Sequence, residues 1–290
     1  MVDLLSNVYL NWFTTDEQFP FYIQYGGHEE DTALHKHADF SELVIVLNGH
    51  ATHLVNQEES FIKKGNVFVI NGGTPHAYKS PYDFKICNIM YKAEMLGLAG
   101  HDLRTLNGYQ ALFVLEPFYR NIYAYKSKLN MSMASLEYVS SLIAAMIREY
   151  EEKVHGYQTM LASRFMELVV YLSRQYDNQE KGVDSSLMHL ANAISYIEDH
   201  YSEQISLEEI AAKSDISVRH LNRIFRAYYQ TTPIAYIQRL RLEQACMQLK
   251  QTNRSITEIS YLCGFNDSNY LTRQFKKTYG MSPKAFRNPQ

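Results

Sequence analysis

The chain has 290 residues, 46% of them hydrophobic and 13% aromatic, including 23 tyrosines. That is room for two domains with proper cores, and no apolar run reaches the ~18 residues that a membrane span needs. The net charge of −3 conceals an asymmetry: from Ser186 onward 13 Lys and Arg stand against 9 Asp and Glu, while the remainder holds 15 against 22, so only the C-terminal part attracts phosphate, and modestly.

The opening residues Met1-Val2-Asp3-Leu4-Leu5 lack a basic n-region and a cleavage site, so no secretory signal is expected and the location expected is cytoplasmic. Cys87, Cys246 and Cys263 are odd in number and far apart. They read as small buried apolar residues in a reducing compartment, not as a disulfide framework or a metal site.

From Phe21 to about Tyr91 the pattern is of short β runs broken by Gly, Asn and Pro. Strands are expected at Phe21–Tyr25, Glu42–Leu47, Ala51–Val55, Glu58–Ile62, Asn66–Ile70 and Lys85–Tyr91. Turn signals separate them at Asn48-Gly49, Asn56-Gln57, Lys64-Gly65 and Asn71-Gly72-Gly73. Many short strands at this spacing, without helices between them, predict a β-sandwich or small barrel.

Inside this region lie His35-x-His37-x4-Glu42-x6-Gly49 and then Gly65-x5-Asn71-x-Gly73-x2-His76. The two runs resemble the motif pair of the cupin barrel, with Asn71 in place of the usual Pro and Ser80 in place of the usual Asn. In metal-binding cupins the matching three His and one Glu converge inside the barrel, a set suited to a borderline divalent metal. The competing reading has the inward polar residues contact an uncharged polar ligand or bond to one another. No cofactor is assigned, because fold does not confer function.

After the barrel the period becomes helical. Ser135–Glu152 carries Leu136, Val139, Leu142, Ile143, Met146 and Ile147 on one side, and Tyr157–Tyr176 carries Met160, Leu161, Phe165, Leu168, Val169 and Leu172. These stripes fit packing on the barrel or on each other, and fit a subunit interface equally. The polar stretch Asp177–Ser186 reads as an interdomain linker, and Leu187–Tyr201 opens the next domain with a helix marked by Leu190, Ile194 and Ile197.

The C-terminal part repeats itself. Leu221–Pro233 reads LNRIFRAYYQTTP, and fifty positions later Leu271–Pro283 reads LTRQFKKTYGMSP, which predicts a tandem duplication. In the first copy Ser206 caps a helix at Leu207–Ser214, Asp215 takes the positive φ of a tight turn, and Ser217 caps a second helix. That helix buries Leu221, Ile224 and Phe225 and turns Arg219, His220, Asn222, Arg223 and Arg226 outward. In the second copy Ser255 caps Ile256–Leu262, Gly264 makes the turn, and Ser268–Tyr279 presents Ser268, Asn269, Thr272, Arg273 and Lys276. Arg pairs in bidentate fashion with guanine and Asn with adenine, so each outward face has the chemistry of major-groove reading. Pro233–Lys250, buried along Ile234, Ile237, Leu240, Leu242, Ala245 and Leu249, joins the two copies.

On SLEEIAAKSDISVRHLNRIFR, the joining helix and ITEISYLCGFNDSNYLTRQFKKTYGMSPKAFR, residues 188–290 resemble the AraC/XylS type of transcription regulator. LHKHADFSELVIVLNGHATHLVN, PHAY at Pro75–Tyr78, NIMY at Asn88–Tyr91 and LFVLEPFYR at Leu112–Arg120 extend the resemblance to the rhamnose-responsive activators of that family. The resemblance implies an α+β chain: a cupin-like effector-binding domain at 1–115, a helical dimerisation segment at 116–176, a linker at 177–187 and an all-α domain at 188–290. The last holds helix-turn-helix motifs at 207–226 and 256–277. It places Arg219, Asn222 and Arg223, then Ser268, Asn269 and Arg273, at base-contacting positions, with Arg226, Thr272 and Lys276 on the same faces. It implies double-stranded DNA, a sugar effector, a homodimer and, where the output is activation, RNA polymerase as partners. His35, His37, Glu42, His76 and Tyr78 are the residues expected to line the effector pocket. The rival readings are a metal-dependent cupin enzyme with an accessory DNA domain, using His35, His37, Glu42 and His76, and a DNA-binding protein without ligand control.

Overall fold

The computed structural model describes residues 6–16, 18–56, 58–92, 95, 101–115, 128–178 and 185–287. The chain divides into two compact units, Met1–Ala191 and Asn192–Gln290.

The first unit is built on the strands β1 (Ser6–Val8), β2 (Phe21–His28), β3 (His35–His37), β4 (Ser41–Val55), β5 (Glu58–Lys63), β6 (Asn66–Ile70), β7 (His76–Tyr91) and β8 (Leu129–Asn130). Among the described residues they form one sheet in the order β1-β3-β7-β4-β6-β8, with β2 also on β7 and β5 also on β4. β1 and β3 run parallel, and the other pairs are antiparallel. The long strands β4 and β7 each serve two sets of neighbours along their length, which folds the sheet around an apolar centre of Val44, Val46, Ile62, Phe68, Ile70 and Ile86.

Two sequence expectations change here. Asn48-Gly49 lies inside β4 and does not separate two strands. The pairing with β7 shifts register on both sides of it, so the Gly marks a bulge that bends one continuous strand. Gly49 has φ 66°, and a Cβ there would lie 2.1 Å from the Asp83 carbonyl oxygen. The second change is that β7 begins at His76, nine residues before the expected Lys85. Pro81 masked that half as a loop, but a strand that bends at Ser80 and Asp83, both at positive φ, accommodates a proline at its irregularity.

Two long helices follow short helical turns at His101–Arg104 and 107–115. Helix α1 (Met133–Glu152) starts at an N-cap, the Ser132 side chain, which accepts from the Ser135 amide. Helix α2 (Tyr157–Asp177) buries Leu161, Phe165, Leu168, Val169, Leu172 and Tyr176. Phe165 packs against Phe21 and Tyr91 of the sheet at 5.4 and 5.0 Å. The Tyr138 hydroxyl of α1 donates to Glu167 of α2 at 2.6 Å. The apolar stripes are therefore covered within one chain. Met160 is the exception, 45% exposed, because it falls roughly 130° around the helix from the centre of the buried stripe. Of the expected linker and the LFVLEPFYR run, residues 179–184 and 116–120 lie outside the described residues.

Helix α3 (Ser185–His200) leads into the second unit, which holds α4 (Leu207–Lys213), α5 (Val218–Tyr229), α6 (Pro233–Gln251), α7 (Ile256–Leu262), α8 (Ser268–Tyr279) and α9 (Pro283–Arg287). The repeat is visible in its local chemistry. Ser206 and Glu209 form a capping box on α4, and Ser255 with Glu258 forms another on α7. Each satisfies two amides that the first helical turn leaves open. The turns that follow take positive φ, 54° at Asp215 and 80° at Gly264.

Along α6 the buried set differs from expectation at both ends of the polarity scale. Ile234 is 46% exposed, whereas Tyr236 and Arg241 are buried. The Tyr236 ring packs on Phe225 and Tyr229, and its hydroxyl donates to buried Glu198 at 3.1 Å. The Arg241 guanidinium donates to the carbonyls of Tyr201 and Glu203, both at 2.7 Å, so its polar end is met on the inside of the fold.

Candidate DNA-reading helices and effector site

Helices α5 and α8 are placed alike. The side chains of Ser217 and Asp267 accept from the amides of His220 and Tyr270 and set where each helix begins. Burial of Leu221, Ile224 and Phe225 on α5, and of Leu271 and Phe275 on α8, turns the opposite faces outward. On those faces Arg219, Arg223, Arg226, Asn269, Arg273 and Lys276 are exposed, while Asn222, Ser268 and Thr272 are half-buried. Two of the half-buried side chains are turned back on their own helix. Asn222 Nδ2 donates to the Val218 carbonyl at 3.0 Å, and Thr272 Oγ1 to that of Ser268 at 2.7 Å. Either side chain must exchange that bond to use the same donor on a base edge. The Arg223 guanidinium lies 3.2 Å from His220 Nε2, and that of Arg273 sits 5.9 Å over the Tyr270 ring.

Both motifs are bolted to α6. At its start Phe225 and Tyr229 of α5 pack on Tyr236. Further along, Leu242, Ala245 and Leu249 share a core with Ile259, Phe265, Leu271 and Phe275. A further link was not legible in sequence. Gln204 donates to Asn266 Oδ1 at 3.0 Å in the second motif's turn, joining residues more than sixty positions apart, for which no local pattern gives a signal.

In the first unit, strand register gathers the predicted effector residues. His35 on β3 pairs with His76 on β7, and His53 on β4 pairs with Tyr78. The His35 and His76 rings are 4.2 Å apart, those of His37 and His76 4.8 Å, and one nitrogen of each of the three lies within 4.8 Å of the others. Glu42 joins them: its Oε2 is 3.6 Å from His37 Nε2 and 4.0 Å from His76 Nε2. Tyr78 stands next along β7, 6.4 Å from His76 by ring centres. His37, Glu42, His76 and Tyr78 are buried and His35 is half-exposed, so the cluster opens to solvent on the His35 side.

Burial sets the protonation of this cluster. It pushes the Glu42 carboxyl up to about 8, so the neutral acid predominates at pH 7. Burial, and then the charge that His35 would carry, bring His37 down to about 3. His76 is held well below the ordinary imidazole value by burial and by the neighbouring His37, His35 and His53. The rings inside are neutral and keep a lone pair each. His53, fully buried with its ring 5.0 Å from Tyr78 and 5.9 Å from His76, belongs to this group and was not predicted. The alternation that buries Ala51, His53 and Val55 along β4 was the available signal.

The two units thus offer a ligand-binding sheet and a tandem of exposed basic helices, the parts of a DNA-binding regulator. Residues 20–169 match the AraC-like ligand binding domain and residues 210–289 the Helix-turn-helix domain, and the chain belongs to the AraC family of transcription regulators. Among its relatives, the HTH-type transcriptional activator RhaR of Mannheimia succiniciproducens is 28% identical over 290 residues, 99% of this chain and 98% of its own. The HTH-type transcriptional activator RhaS of Escherichia fergusonii is 31% identical over 262 residues, 87% of this chain and 86% of its own. Among solved structures, a regulator with an AraC-type DNA-binding domain from Chromobacterium violaceum is 31% identical, covers 35% of this chain and 95% of its own, and has a TM-score of 0.33. With such relatives the chain is a transcription regulator and not an enzyme, and the reading of a metal-dependent cupin enzyme falls away. No helix among the described residues is long and apolar enough to cross a membrane.

Proposed function

We propose that this regulator activates genes of carbohydrate use in the cytoplasm, in response to a sugar bound in its N-terminal barrel. The observation that carries the DNA half of the reading is the repetition of one capped helix-turn-helix, with Arg and Asn on its outward helix, at both ends of α6. Arg219, Asn222 and Arg223 read one major groove and Ser268, Asn269 and Arg273 the next, with Arg226, Thr272 and Lys276 supporting them. The effector half is supported by the convergence of His35, His37, Glu42, His76 and Tyr78 at one end of the barrel, with His35 at its mouth. The relatives' printed role as activators supports the direction of control and makes RNA polymerase the partner downstream. Two copies of the chain would meet through surfaces left exposed on α1 and α2, such as those of Met133, Tyr138 and Met160.

By linkage the sugar controls DNA binding only if it binds two arrangements of the regulator with different affinity. The test is to incubate the protein with fragmented DNA of its source genome, with and without a mixed sugar panel, and to sequence what is retained. A recovered motif with two elements about ten base pairs apart supports the tandem reading, and a change in occupancy with the panel supports ligand control. Recovery of nothing specific under either condition overturns the reading. A specific motif indifferent to every sugar, together with no thermal shift across the panel, leaves a DNA-binding protein without sugar control.

A further inference from the structure

The outward helices of the two motifs share a contact that the repeat places twice. His220 stands one place before Leu221 and Tyr270 one place before Leu271, so the same point of α5 and of α8 carries an aromatic ring. Both backbone amides are held by the caps, His220 by Ser217 Oγ at 3.2 Å and Tyr270 by Asp267 Oδ1 at 2.7 Å, which roots each ring in the first turn of its helix. Both side chains are half-buried, and Tyr270 packs against Phe265 at 6.1 Å. Three positions on, on the same helix face, stand the exposed Arg223 and Arg273. The Arg223 guanidinium donates from Nη2 to His220 Nε2 at 3.2 Å, and the Arg273 guanidinium lies over the Tyr270 ring at 5.9 Å. The two contacts differ in chemistry and coincide in place.

We propose that His220 and Tyr270 are positioning residues that hold Arg223 and Arg273 ready to pair with bases, so that specificity in each half of the DNA site depends on the ring as well as on the arginine. The proposal rests on the reading of α5 and α8 as base-reading helices. A guanidinium has no acceptor, so His220 Nε2 receives the bond, which requires a neutral ring with its proton on Nδ1. One N–H of Arg223 is engaged there, and the rest of the planar fork stays available for guanine O6 and N7. Contact through the face of Tyr270 leaves every N–H of Arg273 available. Asn222 and Thr272 on the same faces are the contrast, since their donors are spent on carbonyls of their own helices. A long side chain surrenders its rotamers on binding, and a ring that restricts them beforehand lowers that cost. The saving goes to the base whose acceptors match the aimed fork, not to its competitors. Loss of the ring should therefore reduce discrimination more than overall affinity, most of which phosphate contacts supply.

The test uses the full-length protein, the genomic DNA fragment recovered by selection, and copies of that fragment with single base changes, in competition gel shifts at one salt concentration. Arg223→Ala and Arg273→Ala first locate the base pairs that each arginine reads. His220→Ala is expected to lose about three- to tenfold in discrimination at the Arg223 base pairs alone, and less than about twofold more when Arg223 is already Ala. Tyr270→Leu, which keeps bulk against Phe265 but has no π face, is expected to do the same at the Arg273 base pairs. His220→Gln supplies another neutral acceptor and Tyr270→Phe keeps the ring, so both should stay within about twofold of the unaltered chain. Melting curves check the folding of every variant, and the two motifs are separate tests, so a misfolded variant in one leaves the other decisive. Discrimination unchanged in folded His220→Ala and Tyr270→Leu overturns the proposal. So does a loss that is equally large in the absence of the arginine, which would make the ring itself the contact. Failure of the underlying reading looks different: Arg223→Ala and Arg273→Ala would then weaken all sequences alike, which removes the base reading and the positioning together.

Discussion

At the scale of single residues, each motif presents a few exposed side chains on a helix whose start is fixed by a cap. Arg223 and Arg273 hold equivalent places on α5 and α8, both exposed. If each pairs with a base, Arg223→Ala and Arg273→Ala should each cost roughly 1–3 kcal/mol of discrimination, confined to its own half of the site. Gel-shift competition against DNAs altered in one half or the other checks this, and a uniform loss over all sequences would mean phosphate contact only. Glycines in the same unit give a second residue-scale contrast. Gly264 and Gly280 both have positive φ, 80° and 74°, but a Cβ on Gly264 would lie 2.8 Å from the Ser202 and Tyr201 carbonyl oxygens and 2.9 Å from Arg241 Nε, while Gly280 faces open space. Ala at Gly280 should cost only the ~1 kcal/mol of an unfavourable backbone. Ala at Gly264 should cost more than that, because backbone oxygens must also move. Urea midpoints of the two variants decide it, and equal midpoints would mean that the turn yields without strain.

At the scale of elements, caps and turns set the frame. Ser206→Ala and Ser255→Ala each remove a capping box, and each should lower stability by about 1 kcal/mol. Denaturation melts of the full chain are the measurement, and a change under ~0.3 kcal/mol would show that water caps these ends as well. These boundaries were legible because their causes are local: α7 and α8 begin and end where Ser255, Gly264 and the apolar spacing place them. The long strands were less legible. Asn48-Gly49 and Pro81 carry turn chemistry inside β4 and β7, and only the antiparallel pairing of the two strands, with its register shifts and with Gly49 against the Asp83 and Tyr82 carbonyls, turns that chemistry into bends. The candidate effector cluster divides the same way. His35, His37, Glu42 and His76 were visible through their spacing, whereas His53 enters through a cross-strand register with Tyr78 that depends on those bends. Glu198 and Arg241 look like surface residues until their distant partners Tyr236, Tyr201 and Glu203 are known.

At the scale of the whole molecule, the second unit behaves as a ruler. α6 has 19 residues, about 28 Å of helix, and each end is fixed to its motif by packing: Tyr236 against Phe225 and Tyr229, and Leu242, Ala245 and Leu249 against the core of α7 and α8. Two major grooves on one face of DNA are about 34 Å apart, so α5 and α8 can enter both only if the two elements are one turn apart. A flexible joint would tolerate other spacings. A packed helix does not, since bending it breaks its own ladder or uncovers the core on either side. Inserting five base pairs between the two elements turns the second to the opposite face, and binding should fall to that of a single motif, a loss on the order of 10²–10⁴ in affinity. Inserting ten restores the face but adds another ~34 Å, so it should not rescue binding. Titrations against the three DNAs at one salt concentration, since affinity for DNA is salt-dependent, make the comparison. Affinity kept at plus five would mean that only one motif engages DNA. Rescue at plus ten would mean that the connection between the motifs stretches, against the packing that fixes both to α6.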